Sequence, residues 1–292
     1  MSAARRAPVI RVLALAGLYT ALNLVIARSL SGSGGTLGGL AGGLTSMVVT
    51  LLTVWGFRRC ADKKTMRSLG FTVRGVFTSI SGGLLLGAVL TGAIFLTESA
   101  MGWIRIEQSR SWPIGSIPPL LILLLMRHFP TAVAEEAVYR GYVLQNLEDV
   151  CGLRWAVLLS SALFGITHLV NGGARDWSRG VVPLTLTLFG VMFACAYLVR
   201  RSLWLPVALH LSWNLFEYDV FSLAGNPVKG AAFLGTRITG PEIWVGLPGS
   251  AFGPEVGMLG VMACASGTLF LLWLARKRQK TTGVGVDPVS DQ

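Results

Sequence analysis

The stretch 131-TAVAEEAVYRGYVLQ-145 sets two adjacent glutamates and an arginine inside an otherwise apolar run. Charge is expensive in hydrocarbon, so ionisable residues there are paired, functional or both. Glu136 and Arg140 are four positions apart with the glutamate first, the better orientation for an ion pair along a helix. Glu135 is turned from Glu136 by about 100° around a helix. It faces elsewhere and needs a partner of its own. A pair alone reads as structural; a pair with an extra carboxylate beside it points to a site.

Composition places this stretch in a membrane. Of 292 residues, 52% are hydrophobic and 13% charged, and the mean hydropathy is +0.62. A soluble domain of this length carries far more charge. The net charge of +11 lies between apolar runs rather than on one face. It therefore reads as orienting the chain in a bilayer, and nucleic acid is not expected as a partner. Eight runs come near the ~20 apolar residues needed to cross the hydrocarbon core: 9–28, 40–57, 76–97, 117–146, 154–170, 182–199, 203–222 and 255–275. The expected fold is all-α, a polytopic membrane helical bundle of about eight transmembrane helices. It forms one integral-membrane domain over residues 1–292, multi-pass in the cell (inner or plasma) membrane.

Several local features refine this. Pro130 is expected to kink or break the fourth run. Arg5, Arg6 and Arg11 precede the first run, but "ARSLSG" is a poor cleavage site, so the run reads as a retained span. Sixteen of the 25 basic residues fall in connections on one side, which predicts cytoplasmic termini. The connection 223–254, rich in Gly and Pro, is expected to fold over the bundle, and 276–292 to be a mobile polar tail. Cys60, Cys151, Cys195 and Cys264 show no CxxC spacing and argue against a cysteine zinc site. Gly35, Gly39 and Gly43, and Gly83 and Gly87, fit close helix packing. Nothing in the sequence speaks to oligomeric state.

There are three histidines. His128, between Arg127 and Pro130, reads as positional or interfacial. His168 lies in "FGITH", with Phe164 one turn before it on the same face, and His210 in "HLSWN", with Asn214 one turn after it. Two histidines on different spans, each with a same-face partner, beside an unpaired glutamate, suggest convergence. Peptide hydrolysis needs an activated water, a proton carrier and donors for the oxyanion. Glutamate, histidine and asparagine supply these. The same Glu135, His168 and His210 equally suit a divalent metal such as zinc. No HExxH, GxSxG or GxGxxG is present.

At these residues the chain resembles the CAAX prenyl endopeptidase and bacteriocin-processing (CPBP, Abi) family of intramembrane proteases. "EEAVYRG" matches that family's EExxxR, "FGITH" its FxxxH and "HLSWN" its HxxxN, in the family's order. The resemblance covers a catalytic core of about 115–222. It implies that Glu135, helped by His168, activates water. It implies that His210 and Asn214 stabilise the oxyanion, or that His210 joins a metal site, and that Glu136 and Arg140 shape the pocket. Glutamic and metal-dependent mechanisms stay open, with no cofactor certain. The expected partners are membrane lipids and a membrane-associated peptide or protein substrate, including a prenylated CAAX-like one. The alternative is a non-proteolytic membrane protein, an immunity factor or a transporter-like binder.

Helix arithmetic strains the single-site expectation. His168 is 14 positions after Arg154, about 21 Å, and His210 only 7 after Leu203, about 10 Å, from the same side. One cavity is nevertheless expected to hold Glu135, His168, His210 and Asn214. The basic connections and the prenyl resemblance predict that it opens to the cytoplasm or the inner leaflet.

Overall fold

In a computed structural model of the chain, residues 3–30, 36–109, 113–170, 178–224, 232–247 and 252–282 are described. Helix α1 (Ala3–Leu30) and α2 (Thr36–Gly56) form an antiparallel pair, followed by α3 (Val76–Ala100). α4 (Ile117–Glu136) passes through a π-helical segment, Ala137–Val143, into α5 (Leu144–Cys151). α6 (Leu153–Thr167), α7 (Ser178–Leu198) and α8 (Trp204–Asn214) follow, α8 continued by a second π-helical turn, Leu215–Val220. The short α9 (Glu242–Val245) and long α10 (Met258–Thr282) end the described chain.

The bundle is all-α in its spans, as expected. Among the described residues, six helical stretches are long and apolar enough to cross a membrane: Arg6–Ser29, Thr36–Ala61, Val76–Ala100, Ile117–Cys151, Gly180–Leu198 and Met258–Lys280. The other two predicted spans are helical but shorter. A helix satisfies its own backbone hydrogen bonds, which hydrocarbon demands. The outward faces are apolar, with Leu13, Leu85, Leu96, Leu184 and Leu269 exposed. Pro130 does not break its helix, since the stretch Ile117–Cys151 runs through it.

Two strands were not foreseen. β1 (Ile104–Ser109) pairs antiparallel with β2 (Leu234–Ile238), Ile104 opposite Ile238 and Arg105 opposite Arg237. "IRIEQS" alternates apolar and polar residues, a period-2 pattern, but it follows a long apolar run that masked it. The pairing ties the 223–254 connection to the end of α3. Of that connection, 225–231 and 248–251 lie outside the described residues, as do 283–292 of the expected mobile tail; residues 276–282 are helical.

The basic connections gather at the other end. Asp62, in the loop after α2, accepts from Arg11 at 2.8 Å and Arg58 at 3.4 Å. Buried Arg58 also donates to Gln145 at 2.6 Å and Ser68 at 2.9 Å. Arg201 makes a two-pronged pair with Glu148 at 2.5 and 2.7 Å. Several arginines expected only to orient the chain thus hold this end together.

The same loop settles the depth problem. The N–H of Leu203 donates to Gly70 O at 2.9 Å, and Trp204 Nε1 to Thr72 O at 2.8 Å. Leu203 is fully buried. Helix α8 therefore starts beneath a cap of loop, not at the surface, and His210 sits deeper than a count from Leu203 implies. Gly70 suits this turn, with φ of 112°.

Small residues set the helix spacing around the site. A Cβ at Gly165 of α6 would collide with Pro183 O of α7, and one at Gly190 of α7 with Ser161 of α6. Gly83 and Gly87 of α3 lie equally close to α8. Gly43 only touches Pro130, Gly39 faces open space, and Gly35 lies outside the described residues.

Candidate active site

Glu135 and Glu136 end α4, and Arg140 lies in the π-helical segment that follows. Such segments often occur at functional sites. Arg140 Nη1 donates to Glu136 Oε1 at 2.9 Å, the pair that the spacing predicted. Its Nη2 donates to Gly190 O at 3.1 Å. The guanidinium lies 4.6 Å from the Phe164 ring centroid and 5.1 Å from that of Phe193. Ion pairing, a carbonyl and two aromatic faces together offset the cost of burying this cation.

Glu136 also fixes a histidine. Its Oε1 lies 3.1 Å from His210 Nδ1, and the His210 ring stacks on Phe193 at 4.9 Å and 16°. A carboxylate accepts, so Nδ1 carries the proton and Nε2 faces the other way. His168 is fixed alike: Nδ1 donates to Phe164 O at 2.8 Å, and the Phe164 ring packs 4.5 Å from the imidazole. Both Nε2 atoms converge on Glu135 Oε2, at 4.0 Å from His168 and 3.9 Å from His210. These gaps are too wide for direct hydrogen bonds. They are the width that one water, bonded to both atoms, spans.

The four predicted residues surround one cavity of about 540 Å³, with Asn214 in its wall. Depth in the cavity is graded: His168 is 17% exposed, Glu135 13%, His210 8% and Glu136 0%. Leu24 and Ala27 late in α1, Thr131 before Glu135, and Phe252 and Glu255 before α10 also line it. These positions belong to the half remote from Asp62, Glu148 and Arg201. This part of the wall lies away from the basic end.

His128 is buried rather than interfacial. Its Nε2 lies 2.6 Å from Asp219 Oδ2, and Arg127 lies 3.7 Å from the same carboxylate. This pins α4 to the turn after Asn214 and fixes the distance between Glu135 and the asparagine. Sequence reading missed Tyr139, whose hydroxyl meets Thr167 Oγ1 at 2.5 Å, one residue before His168. It missed Phe193, which has no polar signature, and Tyr19, which lines the cavity from α1. The polar run Tyr19, Thr20 and Asn23 inside the first span was the available signal. Glu255 was read as the edge of the last span.

Four ligands on zinc at 2.0–2.1 Å stand about 3.3 Å from one another. The imidazoles stand 3.9 and 4.0 Å from the glutamate oxygen. Among the described residues, no group of three or more His, Cys, Asp and Glu side chains is arranged to hold a metal ion. The predicted ligand trio meets in one cavity, but not at ligand spacing.

Comparison with known proteins agrees with the motifs. Residues 117–216 match the profile of a family described as Type II CAAX prenyl endopeptidase Rce1-like. A 180-residue alignment at 23% identity relates the chain to "Putative membrane peptidase YdiL" of Bacillus subtilis (strain 168). It spans 59% of this chain and 67% of that protein. No solved structure matches.

Proposed function

We propose that this multi-pass membrane protein, whose central segment is of the Rce1-like prenyl endopeptidase type, is an intramembrane endopeptidase that uses glutamate to activate water. The observation that carries the reading is the convergence of both histidine Nε2 atoms on Glu135 Oε2, each a water's width away. A water held there gives a proton to Glu135 as its oxygen bonds the peptide carbonyl carbon. His168 Nε2 accepts that water's second hydrogen bond and orients it. The Asn214 amide donates to the oxyanion, and His210 does so from Nε2 as the doubly protonated imidazolium, its Nδ1–H being held by Glu136. Glu135 then hands the proton to the leaving amine as the C–N bond breaks, which restores the starting carboxylate. Glu136 and Arg140 position His210 and do not touch substrate.

The test is cleavage by the purified full chain of membrane-anchored peptides, prenylated and unprenylated, with products identified by mass. Cleavage is expected to persist after treatment with a metal chelator. Loss on chelation, restored by zinc alone, would overturn the glutamate mechanism. No cleavage of any peptide would favour the second reading, a membrane immunity or transporter-like binder. The placement of the cavity wall in the non-basic half is what speaks for that reading. The complete set of groups around a water-sized gap speaks for chemistry.

Positive charge marks the cytoplasmic side of cell-membrane proteins, so the lining supports substrate entry from the opposite side. This can be read without assuming an orientation. Cys60 is exposed at the basic end. A variant keeping Cys60, with the other three cysteines removed and Ala27→Cys or Thr131→Cys added, is treated with a membrane-impermeant thiol reagent. The two cysteines should label from opposite faces of sealed vesicles. Labelling from the same face would overturn this entry route and support the cytoplasmic opening.

A further inference from the structure

A second groove lies outside the catalytic cavity, between α3, the start of α8 and α10. Its volume is about 620 Å³. Leu86 and Val89 of α3, Leu205 of α8, and Phe270 and Leu274 of α10 make its apolar walls. Arg200 and Arg278 stand at one end, with Thr78 and Ser79 of the first turn of α3. At the far end the helices close up: a Cβ at Gly267 would lie 2.9 Å from Leu90 Cδ1.

The arginine end is built for an anion. The first N–H groups of α3 lack helical acceptors and carry the positive end of the helix dipole. Arg200 folds over that helix end, since a Cβ at Gly75, the residue before Val76, would collide with its Nη1. Ser79 is 2% exposed, yet its hydroxyl has no hydrogen-bond partner among the described residues, and it lines the groove. Burial and the like charge of Arg278 both pull the Arg200 guanidinium below the usual arginine range.

The groove also has the depth of one leaflet. From Ser79 to Leu90, and from Gly267 to Arg278, is 11 residues, about 16 Å of helix. That is about half of a ~30 Å hydrocarbon core. Lys277 lies over the exposed Trp273 ring at 5.3 Å, beside the arginine end. Tryptophan with a basic residue marks the headgroup level. Charge at headgroup height above an apolar slot one leaflet deep is the pattern of a phospholipid, with its phosphate at the arginines and an acyl chain along α3.

We propose that this groove is a binding site for one anionic glycerophospholipid, separate from the catalytic cavity. Occupied, it joins α3 to α10 across a face that their own side chains leave open. Since α3 packs along α8 through Gly83 and Gly87, the lipid supports the helix that carries His210 and Asn214.

The test uses the full chain in nanodiscs of phosphatidylcholine and phosphatidylglycerol in equal parts. It is returned to detergent, and the retained lipid is read by native mass spectrometry. Phosphatidylglycerol should be retained in preference, on the order of tenfold, the scale of one to two basic residues at a bilayer surface. R200Q/R278Q should bring the ratio to about one, and R200K/R278K should keep part of it, because lysine retains the charge without the fork. G82L, which fills the slot beside Leu205, should reduce retention of both lipids. R276Q/K280Q, at the same end but outside the groove, should change nothing. Retention in the proportions supplied would overturn the proposal, as would an unchanged preference in R200Q/R278Q. An equal loss in R276Q/K280Q would show that the basic end as a whole, and not the groove, attracts the lipid.

Discussion

Glu135→Gln is expected to lower kcat/KM for peptide cleavage by about 10² to 10⁴-fold, the usual contribution of a general base, with the fold intact. Glutamine keeps the shape and still bonds a water, but it cannot take the proton. The fold is spared because Glu135 is not the partner of Arg140; that role belongs to Glu136, at 2.9 Å. Removing the Glu135 charge leaves Arg140 its hydrogen-bonded partner Glu136 at 2.9 Å. Thermal unfolding in detergent should therefore move little, well short of the loss from breaking a buried ion pair. Activity within tenfold of the parent would remove Glu135 from the chemistry. A large loss of stability together with activity would mean that it holds the helices instead.

The contrast between two neighbouring glutamates shows what was legible in the sequence. Spacing along one helix is local, so the Glu136–Arg140 pair and the separate facing of Glu135 could be read from four residues. The same-face relation of Phe164 to His168 was readable too. Its detail, a Phe164 carbonyl fixing Nδ1, follows from helix geometry once the helix ends at that point. Contacts between helices were not legible. Phe193, one aromatic among 13 phenylalanines, stacks on His210 and faces Arg140 only because α7 packs tightly on α6 through Gly165 and Gly190. The apparent depth mismatch between His168 and His210 came from assuming that every helix starts at the membrane surface. The loop that buries Leu203 has no signature of its own, since its hydrogen bonds are made by backbone carbonyls at Gly70 and Thr72. For the same reason, hydropathy could not say which helix faces would line the cavity. It counts residues in the bilayer but not the faces they share.

Arg140→Ala should destabilise the protein by about 3–5 kcal/mol, the scale of a buried ion pair that loses one partner. Three losses coincide. Glu136 is fully buried, its Oε2 has no partner among the described residues, and its Oε1 would keep only His210. Gly190 O would lose its donor. The space between Phe164 and Phe193 would empty, adding a cavity cost. The stranded charge is separable from the other two. In E136Q/R140Q no net charge is buried and the volume is nearly kept, so stability should return by more than half, while cleavage stays low because His210 has lost the carboxylate that orients it. Arg140→Lys should fall between, since one ammonium cannot reach both Glu136 and the Gly190 carbonyl while lying flat against two rings. Thermal unfolding and yield of the purified chain decide the point. A double variant no more stable than Arg140→Ala would place the cost in packing. A stable but inactive Arg140→Ala would make the arginine a tuning element of the site rather than the tie that lets α4, α7 and α8 meet there.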